Sequence, residues 1–167
     1  LLSFVDNHDV TRVASILNNP AHLPLIYALA FGMPGIPCVY YGSEWGATGH
    51  KEEGDPALRI AFDKPSCNNL TDYINRLSIS KRNSKALCYG DFRSLVLTNR
   101  QCLFSREWEG ERVLVAINAE EAPYTMHFDY GVSEFLDLIT GNIISTDGGI
   151  QMPEYTALFL VPVGART

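Results

Sequence analysis

The sequence predicts an α/β unit over residues 1–86 followed by an all-β module over residues 87–167. Three observations carry that reading. Through Tyr41, an apolar run that breaks into a polar cluster is followed by a helical pattern and then by a second apolar run. After Leu87 the hydrophobic period changes from helical to alternating. Turn-forming residues then punctuate the rest of the chain at short intervals.

Leu1 to Val5 is an apolar strand that runs straight into Asp6-Asn7-His8-Asp9, a cluster that cannot continue a buried strand and so sits at its C-terminal end. Pro20 opens a helical pattern that continues to Phe31, with Leu23, Ile26, Tyr27 and Ala30 on one face and Gly32 and Pro34 as the stop. Ile36 to Tyr41 is a continuous apolar strand of the kind buried on both faces of a parallel sheet. The strand–helix–strand unit resembles part of an α/β barrel, with a polar loop from Gly42 to about Lys64. A second helix is predicted from about Asn69 to Ser84. It places Leu70, Tyr73, Ile74, Leu77 and Ser78 on one face and leaves Arg76, Lys81, Arg82 and Lys85 in solvent.

The boundary to the β module falls near Ala86–Gly90. Alternating runs at 94–97, 102–108, 112–118, 124–128, 134–138 and 157–161 are separated by Glu109-Gly110, Asp129-Tyr130-Gly131, Gly141-Asn142 and Gly148-Gly149. They predict an antiparallel β-sandwich.

Composition narrows the function classes. The 167 residues are 46% hydrophobic and 19% charged, which is ordinary for a globular protein. A net charge of −6, with 13 Lys and Arg scattered along the chain, argues against a nucleic-acid partner. The most apolar stretch, Pro24 to Tyr41, is cut by Gly32-Met33-Pro34-Gly35 and Pro37, so no membrane span is expected. Four cysteines, Cys38, Cys67, Cys88 and Cys102, form no CxxC pair and are expected as free thiols without a metal site, Cys38 being buried. The chain opens on Leu1-Leu2-Ser3-Phe4, with neither an initiator Met nor a basic leader. A cytoplasmic location is favoured over a secreted one, and Asn69-Leu70-Thr71 is a glycosylation sequon only in a secreted protein.

In α/β barrels the loops at the C-terminal ends of the strands build the active site, so chemistry is expected at Asp6-Asn7-His8-Asp9. Phe4-Val5-Asp6-Asn7-His8-Asp9 resembles the fourth conserved region of the α-amylase family, glycoside hydrolase family 13, at the end of the seventh barrel strand. Gly35 to Glu44 is similar to that family's eighth strand, GxPxxYYGxE, and Asp55-Pro56-Ala57-Leu58-Arg59 to its DPxxR element in the following loop. The resemblance implies a (β/α)8 TIM barrel ending in strand 7, helix 7, strand 8 and helix 8, followed by the family's C-terminal β domain.

Hydrolysis with retention needs a nucleophile and an acid/base carboxyl about 5 Å apart. By resemblance both come from the fourth and fifth strands, outside this chain, which is therefore expected to be inactive alone. The resemblance makes Asp9 the third carboxylate, a transition-state stabiliser, and His8, Asp55 and Arg59 substrate-binding residues for an α-glucan oligosaccharide. Arg12 is expected to brace the loop and Glu44 to accept from loop amides, while Trp45 could stack on a sugar or pack within its loop. No cofactor is expected in this chain, although calcium is common in the family. Bare barrel edges predict self-association, or partial disorder of residues 1–60, in the isolated chain. The implied activity is cleavage of α-1,4, and also α-1,6, glucosidic bonds. The alternatives are a transglycosylase, such as a branching enzyme or maltosyltransferase, or a non-catalytic carbohydrate-binding piece. An intact His8–Asp9 pair with DPxxR argues against the last.

Overall fold

The structure, a computed structural model, describes residues 1–164. Strands β1 (Leu2–Phe4) and β2 (Ile36–Cys38) pair in parallel, Leu2 opposite Ile36 and Phe4 opposite Cys38. Between them lie the one-turn helix α1 (Val13–Ile16) and α2 (His22–Gly32). β2 is shorter than Ile36–Tyr41, and its expected burial on both faces is not found. Ile36 is 63% exposed, Leu2 62% and Phe4 54%, and the Cys38 thiol is exposed rather than buried. Burial on both faces needs strands on both sides and a layer on each face, and β2 here pairs with β1 alone. All four cysteines are free thiols.

α2 is apolar all round, so periodicity alone does not choose its inner face. Leu25, Tyr27, Ala28, Phe31 and Gly32 are buried there, and Ala30 is not among them. A Cβ at Gly32 would stand 3.0 Å from the Phe104 ring and 3.1 Å from Val115, so the glycine lets α2 close on the β module. The stretch expected as a plain loop contains 3₁₀ turns at Ser43–Trp45 and Lys51–Glu53 and a short helix, α3 (Asp55–Leu58). α4 (Asn69–Arg82) starts at a reciprocal cap. Asn68 Oδ1 accepts from the Leu70 and Thr71 amides, while Thr71 Oγ1 accepts from the Asn68 amide. α5 (Lys85–Tyr89) follows, capped by Ser84. Among the described residues no helix is long and apolar enough to cross a membrane.

Two expectations for α4 are corrected: Ser78 is exposed, and Lys81 is buried. The Lys81 ammonium donates to the carbonyls of Phe31 (3.0 Å), Met33 (3.1 Å) and Leu87 (2.9 Å), tying the C-terminal end of α2 to α5. Burial, with the Arg106 guanidinium adding repulsion, pushes its pKa down from 10.5 to about 8. Between those values the unfolded chain holds a proton that the folded chain has released, so stability rises with pH across that window. The urea midpoint of the wild type relative to Lys81→Met is expected to climb between about pH 8 and 10, by at most about 1.4 kcal/mol per pH unit. Tyrosine ionisation is common to both proteins and cancels in the comparison. A difference that stays flat would show that Lys81 keeps its charge throughout.

Among the described residues the β module has eight strands: β3 (Asp91–Leu97), β4 (Gln101–Trp108), β5 (Glu111–Asn118), β6 (Tyr124–Met126), β7 (Glu134–Asp137), β8 (Ile143–Ser145), β9 (Ile150–Met152) and β10 (Thr156–Pro162). Six form an antiparallel sheet in the order β3-β4-β5-β10-β7-β8, and β6 pairs with β9. Alternation sends Phe104, Val113, Val115, Ile117 and Phe159 towards the helices. Leu103, Leu114, Ala116, Leu158 and Leu160 join Met126, Ile150 and Met152 in a second core on the other side. The buried Arg106 donates to Gly32 O (2.8 Å) and Gly90 O (2.8 Å), holding β4 to the end of α2.

Candidate active site

Below the polar cluster that ends β1 lies a buried frame. Asp6 is 1% exposed, and its Oδ2 accepts from the Val13 amide (2.9 Å) and from Ser43 Oγ (2.8 Å). Arg12, fully buried, donates from Nη1 to Tyr41 O (2.9 Å) and Ser43 Oγ (3.1 Å), and from Nη2 to Leu58 O (3.0 Å). Its guanidinium lies 4.6 Å from the Tyr40 ring centroid and 5.4 Å from that of Tyr41. Its amide donates to Gly49 O (2.9 Å), and Tyr40 Oη donates to Leu58 O (3.2 Å). One planar side chain thus joins the loop after β1, the loop after β2 and the end of α3.

On top of this frame stand the four residues singled out from the sequence. Asn7 Oδ1 accepts from the Asp9 amide (2.8 Å), a local turn that presents the two following side chains. His8 Nε2 is 3.2 Å from Asp9 Oδ2, Arg59 Nη2 is 3.5 Å from Asp9 Oδ1, and Arg59 Nε is 3.5 Å from Asp55 Oδ2. His8, Asp9, Arg59 and Asp55 therefore form one continuous polar ridge, although Asp9 and Arg59 are far apart in sequence. All four side chains are about half exposed or more, between 46% and 78%. Such solvated pairs are each worth about 0–1 kcal/mol, so ligand hydroxyls can replace them at little cost.

Other expectations resolve differently. Glu44 does not hold loop amides: those bonds run to main-chain oxygens of Gly42 and Ser43, and Glu44 Oε2 is buried without a partner. The half-buried Trp45 stands edge-on to Phe62, ring centroids 5.3 Å apart. Sequence reasoning missed Asp6, Ser43 and Phe62, whose roles appear only when two loops meet. The one signal available was an acid one residue past an apolar strand, with an arginine close behind it. Among the described residues no group of three or more His, Cys, Asp or Glu is gathered to hold a metal ion.

Comparison with known proteins places this arrangement. The family model "Alpha amylase, catalytic domain" matches residues 2–90, more than half of the chain. The chain is similar to a cyclomaltodextrin glucanotransferase of Geobacillus stearothermophilus, 29% identical over 117 residues, covering 70% of this chain and 16% of that protein. It is also similar to a cyclomaltodextrinase of Thermoanaerobacter pseudethanolicus, 26% identical over 119 residues, covering 71% and 21%. The chain thus spans about a fifth of the length of the curated relatives it matches. The crystal structure of an Anoxybacillus alpha-amylase superposes with a TM-score of 0.83 at 29% identity, covering 97% of this chain and 38% of that one.

Proposed function

The chain belongs to the alpha-amylase catalytic-domain family, and from that premise we propose that it is part of a retaining glycoside hydrolase. Its substrates are starch, maltodextrins or cyclodextrins, cleaved at α-1,4 bonds with α-1,6 as a second linkage. In this reading β1, α2, β2 and α4 are the last two strand–helix repeats of an eight-stranded barrel, and β3 to β10 form the family's C-terminal β domain. The observation that carries it is the ridge His8–Asp9–Arg59–Asp55, set at the C-terminal ends of two parallel strands.

The nucleophile and acid/base, about 5 Å apart, come from residues outside this chain. Asp9 accepts hydrogen bonds from ring hydroxyls of the sugar being cleaved. Those bonds tighten as the ring flattens towards the oxocarbenium-like transition state, and the carboxylate charge opposes the positive charge growing on the ring. His8 donates to the same sugar. Asp55 and Arg59 hold the next one, the carboxylate accepting from hydroxyls and the guanidinium donating as a fork.

Release of reducing sugar from maltotriose, a cyclodextrin and pullulan tests this, comparing the full-length protein with the 167-residue chain. The full-length protein is expected to cleave and the chain to be silent. Cleavage by the short chain would place the catalytic carboxyls within it and overturn the division of labour.

A second reading is transglycosylation, favoured by the similarity to a glucanotransferase. The same covalent intermediate is then resolved by a sugar hydroxyl instead of water. Chromatography separates the two: transfer yields longer or cyclic glucans without a matching gain in reducing ends, whereas hydrolysis yields one new reducing end per bond cut.

A further inference from the structure

Beyond Arg59 the loop between β2 and α4 builds a second, aromatic feature. Tyr41, Trp45 and Phe62 stand around a cavity of about 480 Å³ whose rim carries Arg59, Asp63 and Lys64. That volume falls within the range of ligand pockets, about 300–1,000 Å³. The Phe62 ring lies 5.9 Å from Tyr41 at 78° and 5.3 Å from Trp45 at 83°, so Phe62 meets each of the other two rings nearly edge-on instead of stacking on it. Phe62 is seated against Gly42, where a Cβ would stand 2.6 Å from Cε2 and where φ is +87°. Glycine at this position serves both the turn and the ring. Tyr41 is 44% exposed, and Trp45 and Phe62 are each only half-buried.

Three partly open rings with a charged rim match the chemistry of a pyranose. Its C–H face is apolar and covers an aromatic surface, while its equatorial hydroxyls reach outward to charged donors and acceptors. Arg59 belongs to both features, since its guanidinium faces Asp9 and Asp55 while the side chain lines the cavity. A glucan whose successive units lie at Asp9 and then at Asp55–Arg59 would meet this cavity next, because Arg59 lines both features.

We propose that Tyr41, Trp45 and Phe62 form a further glucosyl-binding subsite beyond Asp55 and Arg59, one that gives the enzyme its preference for longer chains. The inference rests on the α-glucan reading above. It is tested in the full-length protein by comparing kcat/KM for maltoheptaose and maltotriose. The ratio is expected to fall about tenfold in Trp45→Ala and Phe62→Ala, the loss of about 1.4 kcal/mol of binding that only the longer substrate realises. Phe62→Leu keeps an apolar side chain to pack against Gly42 but no ring, and is expected to lose the ratio as Ala does. Phe62→Tyr is expected to retain it. If the protein cleaves both sugars and the ratio is unchanged in Trp45→Ala, Phe62→Ala and Phe62→Leu, the rings only pack the loop and the subsite is overturned. If the ratio falls in Ala but survives in Leu, packing and not sugar contact is at work, and the subsite is again overturned. A protein that neither cleaves nor binds any α-glucan overturns the reading beneath, and the subsite with it.

Discussion

Asp9→Asn in the full-length protein is expected to lower kcat/KM on maltodextrins by about three orders of magnitude, equivalent to about 4 kcal/mol of transition-state stabilisation. The substitution keeps the shape of the side chain and removes its charge. It also turns one of two acceptor oxygens into a donor facing a sugar hydroxyl. In the free protein both oxygens are held only by solvent-exposed partners, His8 at 3.2 Å and Arg59 at 3.5 Å, so the acceptor positions are open to exchange. Because the hydroxyl bonds and the opposed charge matter most when the ring approaches the oxocarbenium state, kcat and kcat/KM should fall together while KM moves little. The melting temperature should stay near that of the wild type, since exposed pairs carry little stability. A loss of activity below tenfold would remove Asp9 from the transition state and leave the ridge as surface salt bridges.

How much of this was legible in the sequence depended on whether the deciding neighbour was near in the chain. β4, β5 and β10 were readable because their apolar runs, bounded by turn residues, stand out even where both faces are buried, as over Val113–Asn118 and Ala157–Leu160. β8 and β9, three residues each, are too short to show a period, and they form because β7 and β6 offer open edges. The motif containing Asp6 and Asp9 marked the strand end, but nothing local separates a buried anchor from an exposed ligand. Asp6 turns inward because the Val13 amide and Ser43 hydroxyl arrive from two other segments. Lys81 shows the same limit from the charge side. The helical pattern put it beside Arg82 in solvent, yet the carbonyls left free at the end of α2 and one from α5 converge on its ammonium. Glu44 failed in the opposite sense, because the tight 3₁₀ turn at Ser43–Trp45 satisfies its amides with main-chain oxygens and leaves the carboxylate nothing to hold.

Arg12→Met is expected to cost about 3–5 kcal/mol of stability, read as a fall in the urea midpoint at neutral pH. The guanidinium is fully buried and satisfies two carbonyls, Tyr41 O and Leu58 O, as well as the Ser43 hydroxyl. Methionine fills part of the volume but donates to none of them. Tyr41 O is stranded, Leu58 O keeps only the Tyr40 hydroxyl at 3.2 Å, and Ser43, which Arg12 and Asp6 share, loses its fixed orientation. Arg12→Lys should rescue little, because an ammonium on a flexible stem cannot span acceptors arranged for a planar fork between two aromatic rings. The decisive comparison is with Asp6→Asn. If Asp6, Ser43 and Arg12 act as one unit, the double variant will lose less than the sum of the single losses, with a coupling of about 1 kcal/mol or more. Additive losses would mean that the two charges brace the loops separately. A loss from Arg12→Met below about 1 kcal/mol would mean that the loops beneath Asp9 and Arg59 are held by their own turns. The activity of the ridge would then owe nothing to this frame.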